Sequence, residues 1–182
     1  MTWIVNLMLA ISHWLESTRL AELTVWMAST PLSTAINQNA WVTPTVESVH
    51  ILSIAATFGA ALMINLRILQ LGGQSQSIGR IAKRYTPWIW WGLLVLLVSG
   101  VIIVLAEPAR EILSGVFWTK MALIASVALA TRWFQGSVRR DPSLWEADSR
   151  GQAALRTGAA AMLIVWCVII LLGRWIAYAG VF

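Results

Sequence analysis

Glu47 and His50 stand three residues apart in the stretch Trp41 to Leu71, WVTPTVESVHILSIAATFGAALMINLRILQL. On a helix, i, i+3 spacing puts both side chains on one face, an arrangement that bundle proteins use twice over to hold two iron ions. The Glu-x-x-His pattern occurs once in this chain, so a dinuclear centre needs a second copy from another subunit. A lone imidazole among apolar helices also suits the iron of a haem, whose propionates call for cations. Lys120 and Arg174 are available for that purpose. Copper is a further option: His50, the second histidine His13, Glu47 and the methionines Met8, Met27 and Met121 offer imidazole and thioether donors. Against these chemistries stands a structural reading, in which a Glu-Lys or Glu-Arg pair and a hydrogen-bonded histidine hold helices in register. The same bland reading fits Asn65 as an interfacial cap, Arg67 as a snorkelling cation and His13 as a headgroup-level side chain.

The elements that must position these residues are membrane helices. About 20 apolar residues at 1.5 Å each cover the hydrocarbon core, and the 41–71 stretch exceeds that length. At about 100° per residue, His50, Ile54, Thr57, Phe58, Ala61 and Asn65 fall close to the line of Glu47, so polar and small residues share one stripe. Ionisable groups at membrane depth turn inward, and that stripe is expected to face protein. The chain is 58% apolar and only 12% charged, which selects a multi-pass membrane protein over a soluble domain. Its twelve tryptophans gather near expected span ends, as membrane-interface residues do.

Further spans are expected at about 87–106, 112–134 and 153–178, the second ended by Glu107-Pro108 and the third containing Lys120. Before them, residues 3 to about 28 carry apolar positions at helical spacing around Glu16, Arg19 and Glu22, too short an apolar run to cross. They read as an amphipathic helix, or two short ones, on the membrane surface, followed by a broken stretch at Ser29-Thr30-Pro31 and Asn37-Gln38-Asn39. The expected fold is therefore all-α: residues 1–40 form a surface helix and linker, and 41–182 form a four-transmembrane-helix bundle. No basic n-region or cleavage site marks a removable signal peptide. The lone Cys167 in the last apolar run reads as a helix-interface residue.

The net charge of +5 comes mostly from two loops, which argues topology and not nucleic-acid binding. Arg67, Arg80, Lys83, Arg84, Arg132, Arg139, Arg140, Arg150 and Arg156 fall in or beside the loops after the first and third spans, the second of them turning at Asp141-Pro142. The positive-inside rule makes those loops cytoplasmic and both termini periplasmic in a bacterial inner membrane. Glu47, His50, Glu107, Lys120 and Arg174 then share a level near the outer face. The glycines Gly59, Gly100, Gly115 and Gly158 allow close helix approach, which suits a homo-oligomer in the lipid bilayer.

Glu47-Ser48-Val49-His50, then Gly59, Asn65-Leu66-Arg67-Ile68-Leu69-Gln70-Leu71, Lys120 and Gly173-Arg174-Trp175-Ile176-Ala177-Tyr178 resemble a family of small four-span bacterial inner-membrane proteins without an assigned activity. More distantly the chain is similar to the membrane domains of copper-resistance D type proteins and to four-helix b-type cytochromes. With the residues, this leads to an expectation of haem b on His50, with Glu47 orienting the site and Lys120 and Arg174 on the propionates. Electrons would pass within the membrane or to a periplasmic redox partner. His13 is the candidate second metal ligand. A copper or small-solute permease or accessory subunit is the alternative, and a structural partner without cofactor the third reading. No nucleophile-base pair, phosphate loop or paired-carboxylate motif is present, so no catalytic residue is expected.

Overall fold

The computed structural model describes residues 2–72, 75–141, 145 and 152–176. Among these the chain is all helical, with α1 (Thr2–Glu16), α2 (Arg19–Ala28), α3 (Pro31–Gln38), α4 (Val42–Ile68), α5 (Ile78–Ala106), α6 (Pro108–Ile112), α7 (Gly115–Arg140) and α8 (Gln152–Ile176). The expected Asp141-Pro142 turn beyond Asp141, Arg150, and the end of the last span through Tyr178 lie outside the described residues.

Three of the helices, α4, α5 and α8, are long and apolar enough to cross a membrane. Their outward residues agree with that: α5 leaves Leu94, Leu97, Val98 and Val101 exposed, an apolar face that calls for lipid. The expected third crossing corresponds to α7, which has the length, but Lys120, Thr131 and Arg132 interrupt its apolar run.

Two helices extend past the boundaries that charge suggests. Residues 78–86 carry Arg80, Lys83 and Arg84 and look like loop, yet Ile78, Ile81, Ala82 and Ile89 recur at helical spacing and are buried, so α5 begins before Pro87. In α7 the buried Val127, Thr131, Phe134 and Val138 carry the helix beyond Phe134 to Arg140. At the other end of the chain, the stretch expected to be a linker folds as α3, because Thr30 caps it by accepting from Ser33 N–H and Pro31 occupies the first turn.

The chain forms two compact units: Met1–Ile51 with Leu96–Ala122 and Ile170–Phe182, and Leu52–Val95 with Leu123–Ile169. The second unit has a continuous apolar core to which α4 gives Ala60, Ala61, Ile64 and Ile68, α5 gives Ile78, Ile81 and Ile89, α7 gives Val127, Phe134 and Val138, and α8 gives Ala159, Trp166 and Ile169. Trp145 closes it, edge-on to Phe134 with ring centroids 4.7 Å apart. A cavity of about 40 Å³ between Asn65, Thr131, Phe134 and Trp166 is of the order of a single water.

In the first unit the short helices α1 and α3 tie down the ends of long ones. Ser33 Oγ donates to Leu105 O at 2.7 Å and Asn37 Nδ2 to Ala106 O at 3.0 Å, which satisfies carbonyls that the end of α5 leaves unpaired. Gly115 N–H, at the start of α7, donates to Ser12 Oγ at 3.0 Å. A Cβ on Gly115 would come within 2.8 Å of Met8 O, so only glycine allows α1 to approach there.

Among the helix glycines the structure separates two kinds. At Gly92 a Cβ would overlap Thr57 Oγ1, which is buried and donates to Ser53 O, whereas at Gly59 nothing lies within 4 Å. Gly92→Ala is expected to destabilise by about 1–3 kcal/mol through overpacking, and Gly59→Ala to be neutral or stabilising by a few tenths up to about 1 kcal/mol. Thermal unfolding of the two variants in detergent checks this: equal loss from both would contradict the packing described.

Candidate functional site

The groups able to do chemistry gather in the first unit. His50 sits in the third turn of α4 with its ring half-buried, and its Nδ1 lies 2.7 Å from Ser99 Oγ on α5. Ser99 is buried, and its hydroxyl also reaches the Leu96 carbonyl at 3.4 Å in its own helix. In the tautomer that protonates Nδ1, the ring donates to Ser99 Oγ, the hydroxyl turns to the carbonyl, and Nε2 keeps a lone pair. Ring orientation is thereby set by a partner on a second helix. Gly100, the next residue on α5, makes room: a Cβ there would stand 3.7 Å from His50 Cε1.

Lys120 is half-buried in the second turn of α7, its Nζ 5.6 Å from the centre of the Phe117 ring. It lies within electrostatic reach of both the His50 imidazole and the Glu111 carboxyl. A Cβ on Gly173 would be 3.9 Å from Lys120 Cδ, so the aliphatic stem of the lysine runs against α8 one residue before Arg174. Arg174 itself is exposed in the last turn of α8.

Glu111 is the residue that sequence reasoning left in a connecting link. It is only 5% exposed, on the five-residue α6, which starts at Pro108 and buries Pro108, Glu111 and Ile112 together. The 108, 111, 112 spacing was the available signal, since i, i+3 and i+4 fall on one helix face. Arg110 reaches the Glu111 carboxylate at 3.7 Å and pairs more closely with Glu107. Burial pushes the Glu111 carboxyl above its ordinary 4.5, outweighing the opposing pull of Lys120 and Arg110, and the Glu107 charge adds to the rise. Nearby in sequence, the Ser114 hydroxyl is buried without a protein partner.

The remaining expected site residues are placed differently. Glu47 is exposed. His13 is on α1 with 78% of its side chain exposed, its Nδ1 3.5 Å from Glu16. Among the described residues no three His, Cys, Asp or Glu side chains come together as a metal cluster. The structure thus brings His50, Ser99 and Gly100 into one contact set and Glu111 into the field of Lys120. The carboxylate acting on Lys120 is Glu111, while Glu47, expected to orient the site, is exposed.

A carboxyl whose value is raised by folding is held most favourably as the acid, so its contribution to stability falls as pH climbs from 4.5 through the raised value. Glu111→Gln keeps the neutral form at every pH. The variant's Tm is therefore expected to gain on that of the wild type as pH rises from 4.5 through the raised value. Paired melting curves in detergent test this, and a difference that stays constant with pH would contradict the burial effect.

No curated protein and no solved structure matches the chain. One family model matches residues 33–179, a range that takes in His50, Ser99, Glu111, Lys120 and Arg174. The chain therefore belongs to the family of unknown function DUF6644.

Proposed function

We propose that this chain is a four-span inner-membrane protein, α7 making the third crossing, that binds haem b through His50 and passes electrons near the periplasmic side. The orientation rests on charge: the segments of the second unit carry nine of the thirteen Lys and Arg residues, and the positive-inside rule assigns them to the cytoplasm. Both termini and α1–α3 then face the periplasm, and residues 1–40 act as a separate outer cap on the bundle.

The observation that carries the haem reading is the pairing of His50 Nδ1 with Ser99. Histidines that bind metals generally donate their other ring N–H to a neighbouring acceptor, which fixes the tautomer and aims the ligating nitrogen. His50 has that arrangement, with Nε2 left for iron. Lys120 and Arg174, on α7 and α8, supply cations for propionates, and the lack of a side chain at Gly100 leaves space along the imidazole edge. The haem, when bound, would supply one-electron chemistry. The protein would supply its axial nitrogen, its counter-charges and an apolar surround. With His13 exposed on α1, His50 would be the one histidine to hold the group in this reading, a second ligand having to come from a methionine such as Met121 or from another subunit. An electron acceptor in the periplasm follows from the outer position.

A second reading is favoured by a different observation. Glu111, Lys120 and the unpartnered hydroxyl of Ser114 form a polar region suited to a small hydrophilic guest, as in a permease or accessory subunit for copper or another solute. Here the Glu111–Lys120 pair would act as the gate.

Absorption spectroscopy separates the two. The purified protein is expected to show a Soret band that shifts on dithionite reduction. His50→Ala is expected to abolish the band, and Ser99→Ala to lower haem affinity by about 10-fold to 100-fold, the usual effect of losing a ligand's supporting hydrogen bond. A colourless preparation containing copper supports the second reading; a colourless, metal-free one leaves the structural role of the polar cluster.

A further inference from the structure

We infer that the end of α4, with the start of α8, binds the phosphate of an acidic phospholipid through Arg156. All residues involved belong to the second unit, and the inference is independent of any haem.

The first support is a charge imbalance. The segments Leu52–Val95 and Leu123–Ile169 hold nine Lys and Arg residues against Asp141, Glu146 and Asp148, three carboxylates confined to one short stretch. The cations around the α4–α5 turn therefore have no acidic residue of these segments nearby in sequence.

The second is a turn built to present a guanidinium. Helix α4 ends with Leu71 N–H bonded to Leu66 O at 2.9 Å and Gln70 N–H to Arg67 O at 3.1 Å, a termination that places Gln70 in the left-handed region at φ 60°. Glycine is the residue that takes this conformation without strain. A glutamine here has its side chain in use: Gln70 Oε1 accepts from Arg156 Nη2 on α8. Arg67 is buried in the last turn of α4 and secures the turn from beneath, its Nε donating to Gln76 O at 2.9 Å.

The third is the state of Arg156. Its residue is only half-buried, but its Nε is enclosed without an acceptor. The neutral amide of Gln70 orients the group without cancelling its charge. A guanidinium held by one edge by a neutral amide, with no carboxylate partner among the described residues, matches the two-oxygen geometry of a phosphate on its open edge.

The location selects a lipid over free phosphate. Arg67 and Arg156 lie toward the ends of two helices long and apolar enough to cross a membrane, where such a crossing would meet the headgroups. Leu71, beside Gln70, is exposed and offers an apolar contact to an acyl chain. Basic pockets between transmembrane helices on the cytoplasmic side recognise anionic headgroups by this chemistry.

Native mass spectrometry of the full chain, released from micelles containing equal phosphatidylglycerol and phosphatidylcholine, tests the inference. Wild-type protein is expected to retain phosphatidylglycerol about tenfold over phosphatidylcholine, the preference worth one charge-assisted arginine contact. Arg156→Gln is expected to bring the ratio close to one. Gln70→Gly relieves the backbone strain, so its Tm is expected to hold or rise while the preference falls, which keeps the test decisive should Arg156→Gln fold poorly. Arg84→Gln, elsewhere in the same unit, is expected to leave the ratio unchanged. Equal retention of both lipids by wild type, an undiminished preference in Arg156→Gln or Gln70→Gly, or displacement of phosphatidylglycerol by equimolar inorganic phosphate would overturn the inference.

Discussion

The hydrogen bond from His50 to Ser99 joins α4 to α5 through the one imidazole that the long helices carry. In apolar surroundings an unpaired polar group costs about 1–3 kcal/mol, so such a ring either finds a partner on a neighbouring helix or turns away from lipid. Here the partner is a buried serine whose hydroxyl also reaches a carbonyl in its own helix, and one nitrogen of the ring is fully occupied by the fold. The other nitrogen is what remains for function. Ring direction follows from this contact.

Close approach between helices makes such contacts possible, and small residues allow it. Gly100 lies against the imidazole, Gly173 against the stem of Lys120, and Gly115 against the backbone of α1. The short helices α1 and α3 are thus part of the fold's chemistry as well as its edge, because Ser12, Ser33 and Asn37 satisfy backbone groups at the ends of α5 and α7. The same logic governs the opposite charge distribution of the two units. One holds the acid-base pair Glu111 and Lys120; the other is dominated by arginines and lysines, of which Arg67 and Arg156 are engaged by the α4–α5 turn.

Much of this was legible in the residues. Apolar runs announced α4, α5 and α8, and the inward turn of His50 followed from the cost of exposing it to lipid. Helix ends were harder to read: charge at Arg80, Lys83 and Arg84 hid the spacing of Ile78, Ile81 and Ala82, and residues at Pro31 that look like a break instead start a capped helix. In the site, Lys120 was identifiable as an intramembrane cation, but its carboxylate was not. Glu47 shares a helix with His50 and Glu111 does not, and sequence proximity favours the former. Only the fold of a five-residue helix buries Glu111 and leaves Glu47 exposed. Ser99 gave no sign either, since serine is common in apolar helices and its role depends on which helix lies across from it.

The central claim is that the free nitrogen of His50 serves as a ligand to haem iron. Pyridine haemochrome analysis of protein purified from membranes with intact haem synthesis tests it most directly. The account predicts haem b in stoichiometric proportion to the chain in the wild type and its loss in a folded His50→Ala variant. Folded wild-type protein free of haem b, or a His50→Ala variant that retains it in full, would contradict the account.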